Sequence, residues 1–341
     1  MYTENHRDIL PRGKISVRDK NGKCNRIGVL EQTFAPTPIY QLSEEYSDNE
    51  IYIKRDDLIP FSFGGNKARK AAQFYKEIME QQPDVIMTYG SNSSNHCRII
   101  ANMAASMGLP CHIISPDERV EGKNGRDLCN SILVRQFGAT VETCPVTEVA
   151  DTIETRKKEY LGRGMQPYFI MGGGHGNAGT QAYVNTYAEI LQQEEQMRLH
   201  FDRIVHASGT GTTQAGLICG KLLQKGHIPV TGISIARSNP RGRGVVRESI
   251  RDYLGDRFEA LYSEKELEFT DAYICGGYGK YVAEISQMID HVMQTEGIPM
   301  DTTYVGKAFW GMIRMLEEQK IHGQKILFIH TGGTPLFFDR I

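Results

Sequence analysis

The segment FGGNKARK (63–70) sets Lys67 directly after Gly64, Gly65 and Asn66 at a strand-to-helix junction. A lysine amine is a strongly hydrated charge in a plain turn, but a nucleophile and base once burial lowers its pKa. A second candidate is the turn of ASGTGTTQ (207–214), where Ser208, Gly209, Thr210, Gly211 and Thr212 join a strand to a helix. Glycines there let backbone N–H groups approach a phosphate, hydroxyls donate further bonds, and a helix N-terminus adds positive potential. No GK[ST] follows, so this is not a Walker loop, and GTGTTQ lacks the third glycine of the dinucleotide fingerprint. The competing reading of this turn is structural, without a ligand.

An amine beside a phosphate cradle suits a ligand that carries both an aldehyde and a phosphate, and pyridoxal 5′-phosphate is such a group. An Asn and Ser pair near the aldehyde, and a hydroxyl near the ring nitrogen, would hold the ring flat.

The elements that must position these groups alternate between short apolar runs and helical periodicity. DVIMTYG (84–90), CHIISP (111–116) and ATVETCP (139–145) read as strands, separated by the helices CRIIANMAASMG (97–108) and DLCNSILVRQFGA (127–139). The pattern returns in RIVHASGTG (203–211), TQAGLICGKLLQKG (213–226), VTGISIA (230–236), KAFWGMIRMLEEQK (307–320) and KILFIHTGG (325–333). This order predicts right-handed βαβ crossovers and an α/β fold of two open parallel-sheet domains. The expected division is a large discontinuous domain, 1–70 with 180–341, and a smaller inserted domain, 71–179. Ligands of such sheets bind beyond the carboxyl ends of the strands. Four polar, small-residue loops fall there: YGSNSSNH (89–96), MGGGHGN (171–177), ASGTGTTQ and HTGGT (330–334).

Composition narrows the function classes. The 341 residues carry a formal charge of −2, which offers no field for nucleic acid or an anionic membrane. RSNPRGRGVVR (237–247) is basic but lacks interleaved aromatics, so it reads as a solvated loop. No apolar run approaches the ~20 residues of a membrane span, and MYTENHRDIL lacks a signal-peptide core, so a cytoplasmic protein is expected. Seven scattered cysteines (24, 97, 111, 129, 144, 219, 275) show no zinc spacing, so neither a disulfide framework nor a metal is expected. Cys97, after SNSSNH, is read as core.

Six motifs occur in order: YIKRDDLIPFSFGGNKARK (52–70), GSNSSNHCRIIA (90–101), ASGTGTTQAGL (207–217), GGYGK (276–280), YVGKAFWGM (304–312) and HTGGT (330–334). Together they resemble the pyridoxal-phosphate enzymes of the 1-aminocyclopropane-1-carboxylate deaminase and D-cysteine desulfhydrase family, over about residues 35–335. The resemblance implies the tryptophan-synthase β-subunit-like fold (fold type II), pyridoxal 5′-phosphate as cofactor, a small amino-acid substrate and a homodimer. It implies that Lys67 bonds the cofactor aldehyde and moves protons at the substrate α-carbon. Asn95 would bond the phenolic oxygen, and Ser94 the substrate carboxylate, with His96 beside it. Ser208, Gly209, Thr210, Gly211 and Thr212 would hold the phosphate, and Thr331 would face the pyridine nitrogen. Tyr278 and Tyr304 would line the substrate pocket and tune protonation of the leaving group.

Two departures bear on the reaction. Cyclopropane-opening members of the family read Tyr-Glu-Gly-Lys where this chain has Tyr304, Val305, Gly306 and Lys307. Val305 carries no charge to favour a protonated ring nitrogen, which weakens the case for ring opening, and it does not match the Thr usual in desulfhydrase-like members either. Where the family reads Gly-Ile-Gln, this chain has Ser91, Asn92 and Ser93, expected to sit near the substrate and make the pocket more polar. The leading expectation is a lyase or deaminase that removes an α-proton and eliminates a β-substituent, releasing pyruvate and ammonia. The alternatives are a β-replacement synthase, a 1-aminocyclopropane-1-carboxylate deaminase, and a non-catalytic ligand-binding homologue.

Overall fold

A computed structural model describes residues 22–23, 30, 34–116 and 127–341. Cys24 and the opening MYTENHRDIL lie outside the described residues. The strands are β1 (Ile39–Tyr46), β2 (Asn49–Arg55), β3 (Val85–Tyr89), β4 (Cys111–Ser115), β5 (Thr140–Thr143), β6 (Pro167–Ile170), β7 (Arg203–Ser208), β8 (Val230–Ser234), β9 (Glu268–Thr270) and β10 (Lys325–His330). The helices are α1 (Asn66–Gln81), α2 (Asn95–Met107), α3 (Cys129–Gln136), α4 (Val149–Gly162), α5 (Asn177–Met197) and α6 (Thr212–Gln224). They continue with α7 (Arg241–Leu254), α8 (Phe258–Leu261), α9 (Ala283–Glu296), α10 (Val305–Glu318) and α11 (Thr334–Phe338).

Two sheets result. The larger runs β1-β2-β10-β7-β8-β9, with only its edge pair β1/β2 antiparallel, and the smaller runs β5-β4-β3-β6, all parallel. The larger sheet is covered on both faces, which is why KILFIH in β10 is a nearly unbroken apolar run. Strand alternation sends Ile51, Val205, Ile233 and Phe328 to one core with α9 and α10. It sends Tyr52, Ile204, Val230 and Leu327 to the other, with α5, α6 and α7. A third core joins α1 and α2 to the smaller sheet.

The basic stretch 237–247 is not a solvated loop. Helix α7 starts at Arg241, because Val246, Ile250 and Leu254 recur at four-residue spacing and are buried against α6. None of the described helices is long and apolar enough to cross a membrane.

Helix α1, which carries Lys67, is pinned by a buried ionic network. Arg69 pairs with Asp56 at 2.7 Å and with Glu189 of α5 at 2.8 Å, and Lys54 of β2 reaches the same Glu189 at 2.5 Å. The Tyr183 hydroxyl donates to Asp56 at 2.7 Å. Removing one member would strand a buried charge, at about 3–5 kcal/mol. The network fixes the rotation and depth of the helix that presents the lysine.

Candidate active site

The four small-residue loops converge on one cavity of about 560 Å³. They follow β3, β6, β7 and β10, so the cavity lies at the carboxyl ends of both sheets.

The two glycines before the lysine are explained by a close approach. Gly65 has φ +93°, and a Cβ there would stand 2.7 Å from the Thr331 carbonyl oxygen. Gly332 answers from the other side: its Cβ would meet Gly65 Cα at 2.7 Å. Without side chains, the two turns touch, and Asn66 N–H donates to Thr331 O at 2.9 Å. This contact sets Lys67 and Thr331 on the same cavity wall.

Lys67 Nζ donates to Gly173 O at 2.9 Å, and its amine opens to the cavity while protein atoms surround it. Burial therefore lowers its pKa to about 8. Lys70, one turn along α1 and fully buried, donates to the same carbonyl at 3.3 Å. Burial, then the charge of Lys67, pushes Lys70 well below the usual lysine range. At Lys67 burial outweighs the opposing hydrogen bond from Lys70, which favours the neutral form that a nucleophile needs.

At the next stretch of wall, Ser208, Gly209, Thr210 and Gly211 line the cavity at the N-terminus of α6. The first-turn N–H groups of a helix have no intrahelical partner. Gly211 has φ +94°, which curls the turn around the space ahead of them. Thr212 is fully buried as the first residue of α6, with its hydroxyl 3.4 Å from that of Thr210, and Thr213 lines the cavity beside it. The 171–176 turn closes over this cradle, as a Cβ on Gly173 would stand 2.7 Å from Thr210 Cγ2. Arg237 donates to Gly209 O and, with Arg241, lines the cavity, adding positive potential on this wall.

The opposite wall comes from the start of α2. Ser94 caps that helix, its hydroxyl oxygen accepting Cys97 N–H at 3.2 Å, which leaves the O–H to donate elsewhere. Asn130 of α3 donates to Ser93 O at 2.7 Å and to Asn95 Oδ1 at 3.0 Å. This assigns the Asn95 amide with its N–H₂ group left to donate. Thr88 Oγ1 donates to Ile170 O at 2.7 Å, so His96 Nε2, 2.7 Å from the Thr88 hydroxyl oxygen, carries a proton and donates to that hydroxyl. Burial, and then the charges of Lys67 and Lys70, hold the His96 imidazole well below its usual pKa, hence neutral.

Tyr278 and Tyr304 complete the lining, with hydroxyls 2.5 Å apart and rings at 74°. Burial, followed by Tyr278, pushes the Tyr304 hydroxyl well above its usual range. Tyr278 is half exposed, so the pair connects the cavity to solvent. The pocket departure is narrower than expected: of Ser91, Asn92 and Ser93, only Ser91 lines the cavity. The Asn92 and Ser93 carbonyls accept bonds from Ser131 and Asn130, which turns that strand of chain toward α3. Val305 is fully buried in the core beside α9, and Cys97 is core as expected.

Lys70, Asn130, Arg237 and Arg241 escaped sequence reasoning. Lys70 had a readable signal, three residues from Lys67 on one helix face. Arg237 and Arg241 lay in the basic stretch read as a solvated loop, and Asn130 had no signal.

These groups fit pyridoxal 5′-phosphate. The cavity offers an N–H-rich turn for an anion, an amine for an aldehyde, and between them the Asn95 amide and the Thr331 hydroxyl for ring substituents.

Comparison with known proteins agrees. Residues 30–332 match the family described as pyridoxal-phosphate dependent enzymes. The chain is 32% identical to a D-cysteine desulfhydrase from Salmonella paratyphi A, over 91% of this chain and 95% of that one. It is also 32% identical to a Pyrococcus abyssi protein provisionally named 1-aminocyclopropane-1-carboxylate deaminase, over 85% and 86% of the two chains. A solved deaminase homologue superposes with a TM-score of 0.78 at 32% identity, covering 89% of this chain and 90% of that one.

Proposed function

The chain belongs to the pyridoxal-phosphate-dependent enzymes, in fold type II, and from that premise we propose that it is a lyase acting on a small amino acid by β-elimination, D-cysteine being its first candidate substrate. One observation carries the reading. The Lys67 amine, the glycine-threonine turn and the Thr331 hydroxyl share one cavity wall, with Ser94 and Asn95 facing them.

When bound, the cofactor supplies an aldehyde for an amine and an electron-poor ring that accepts the electron pair of the Cα–H bond. The protein groups do the remainder. Lys67, lowered to about 8, has a substantial neutral fraction near neutral pH and takes the α-proton. Ser94 donates to the substrate carboxylate and Asn95 to the phenolic oxygen, while Ser208, Gly209, Thr210 and Gly211 hold the phosphate with the first-turn amides of Thr212 and Thr213. His96, neutral and locked by Thr88, shapes the carboxylate side without adding charge. The Tyr278–Tyr304 pair delivers a proton to the departing β-substituent, and Tyr278 is re-protonated from solvent. With D-cysteine and one water, the balance is pyruvate, ammonia and hydrogen sulfide.

Val305 favours elimination over cyclopropane opening, since it sets an apolar group in the core where ring-opening members carry a glutamate. The nearby Asp301 carboxylate is committed to the N–H groups of Thr303, Tyr304 and Val305 at 2.7–3.1 Å. Thr331, which lines the cavity, would then offer a neutral hydroxyl to the ring nitrogen, enough for a good leaving group such as sulfide.

The same proposal includes a smaller inserted domain, 71–179, between the two parts of the large one; all four strands of the smaller sheet fall within it. It also includes a homodimer and a cytoplasmic location, the free thiols among the described cysteines being the support for the location.

The test is a product screen of the cofactor-loaded protein with D- and L-cysteine, other small amino acids and the cyclopropane substrate. Sulfide and pyruvate in equal amounts from D-cysteine are expected. Turnover only when a second nucleophile is added would identify a replacement synthase, and absence of any product would end the lyase reading.

A further inference from the structure

A second group of ligating side chains lies at the other end of the larger sheet. Glu194 in the last turn of α5, His200 before β7 and His227 before β8 bring one ligand atom each within 4.8 Å of one another. The cavity lies beyond the carboxyl ends of β7 and β8, so these strands separate the two places by about 15–20 Å at ~3.3 Å per residue.

Glu194 is only 3% exposed, and among the described residues its ion-pair partners are both imidazoles. His227 Nε2 stands 3.4 Å and His200 Nδ1 4.0 Å from its Oε1, which also accepts Phe201 N–H at 2.6 Å. The two rings meet edge to face with centroids 5.5 Å apart. The buried carboxylate thus faces two exposed imidazoles that converge on one of its oxygens, and a divalent cation among the three would take a lone pair from each ring and neutralise the carboxylate.

The spacing suits such an ion. Ligand atoms about 2.0–2.1 Å from a tetrahedral zinc stand about 3.3–3.4 Å from one another. The Glu194–His227 separation of 3.4 Å already matches, and the His200 side chain, 85% exposed, has room to close the remaining gap. Two imidazoles and one carboxylate select zinc and its first-row neighbours over magnesium or calcium, which prefer oxygen.

We propose that Glu194, His200 and His227 form a binding site for a zinc-class divalent cation, which ties the turn before β7 to the turn before β8. Water completes the coordination on the exposed side. The three ligands are scattered over residues 194–227 without a paired spacing, so no sequence pattern announced them.

Calorimetric titration of the cofactor-loaded protein, stripped with a chelator, with zinc chloride tests the site. One zinc ion per chain and a raised thermal midpoint are expected, with no saturable heat from magnesium. The exposed residues carry the decisive variants, His200→Ala, His227→Ala and the pair together, with circular dichroism to check the fold. Each single change should weaken zinc at least tenfold, leaving the visible spectrum and turnover unchanged. Zinc binding of undiminished affinity in the double variant, or no saturable binding by the unmodified protein, would overturn the proposal. So would magnesium binding as tight as zinc.

Discussion

The two walls of the cavity are made of different material. On the side of the larger sheet, backbone dominates: the turn from Ser208 to Gly211, the first amides of α6, and the Gly65–Gly332 contact that draws Lys67 toward Thr331. On the side of the smaller sheet, side chains dominate: Ser91, Ser94, Asn95 and His96, oriented by Asn130 and Thr88. Backbone amides and glycines recognise a phosphate and a flat ring in any chain that folds this way. Side-chain identity and orientation choose among amino acids. Under the proposed function the first wall would hold the cofactor, and the second would read the substrate through Ser94 and His96 while Asn95 steadies the phenolic oxygen of the ring.

Substitutions can break that division, and the largest effect is expected at Lys67. Lys67→Ala should lower turnover by about 10²–10⁴-fold, the range for a positioned acid-base group, and abolish the visible absorbance of the loaded protein. Retained turnover with normal absorbance would remove the lysine from the chemistry.

Gly65→Val tests the cofactor wall as backbone. A side chain at φ +93° facing the Thr331 carbonyl should cost about 1–3 kcal/mol in strain alone. The thermal midpoint should fall and cofactor affinity with it, while relative rates among substrates stay fixed. An unshifted midpoint would mean that the two turns do not need their close contact.

Asn130→Ala tests the side-chain wall without touching its lining. Losing the amide that orients Asn95 should lower kcat/KM by about tenfold, equivalent to about 1.4 kcal/mol and within the range for an unsatisfied buried polar group. Cofactor affinity, read by equilibrium dialysis, should fall far less than in Gly65→Val. Equal losses would erase the distinction between the walls. Smaller still is Ser91→Gly, which should alter substrate preference by about 2–10-fold, the worth of one hydrogen bond, with the cofactor spectrum unchanged.

The same division explains what the amino-acid order disclosed. The runs that became β3, β4, β7, β8 and β10 were legible because parallel strands buried on both faces leave unbroken apolar stretches. Strand β2 was hidden because its buried residues include two charges: Lys54, whose partners Glu189 and Gln193 lie far away in sequence, and Arg55, which pairs with Asp57 and bonds Tyr40 of β1. Helix α5 was hidden likewise, since its inner face buries Thr186, Gln193 and Glu194 among the aliphatics. In the site, glycines marked Lys67 and the phosphate turn, since a backbone requirement leaves its own residue type behind. Asn130 left no such mark: an asparagine that orients another across 35 positions looks like any surface amide.

The central claim is that Lys67, and no neighbouring amine, bonds the cofactor. Borohydride reduction of the loaded protein fixes that carbon–nitrogen linkage, and peptide mass mapping then locates it. The added pyridoxyl mass should fall on Lys67, and attachment to stripped protein should quicken as pH rises through about 8, where the amine loses its proton. Label on Lys70, one helical turn away at the same carbonyl, or on neither lysine, would contradict the account.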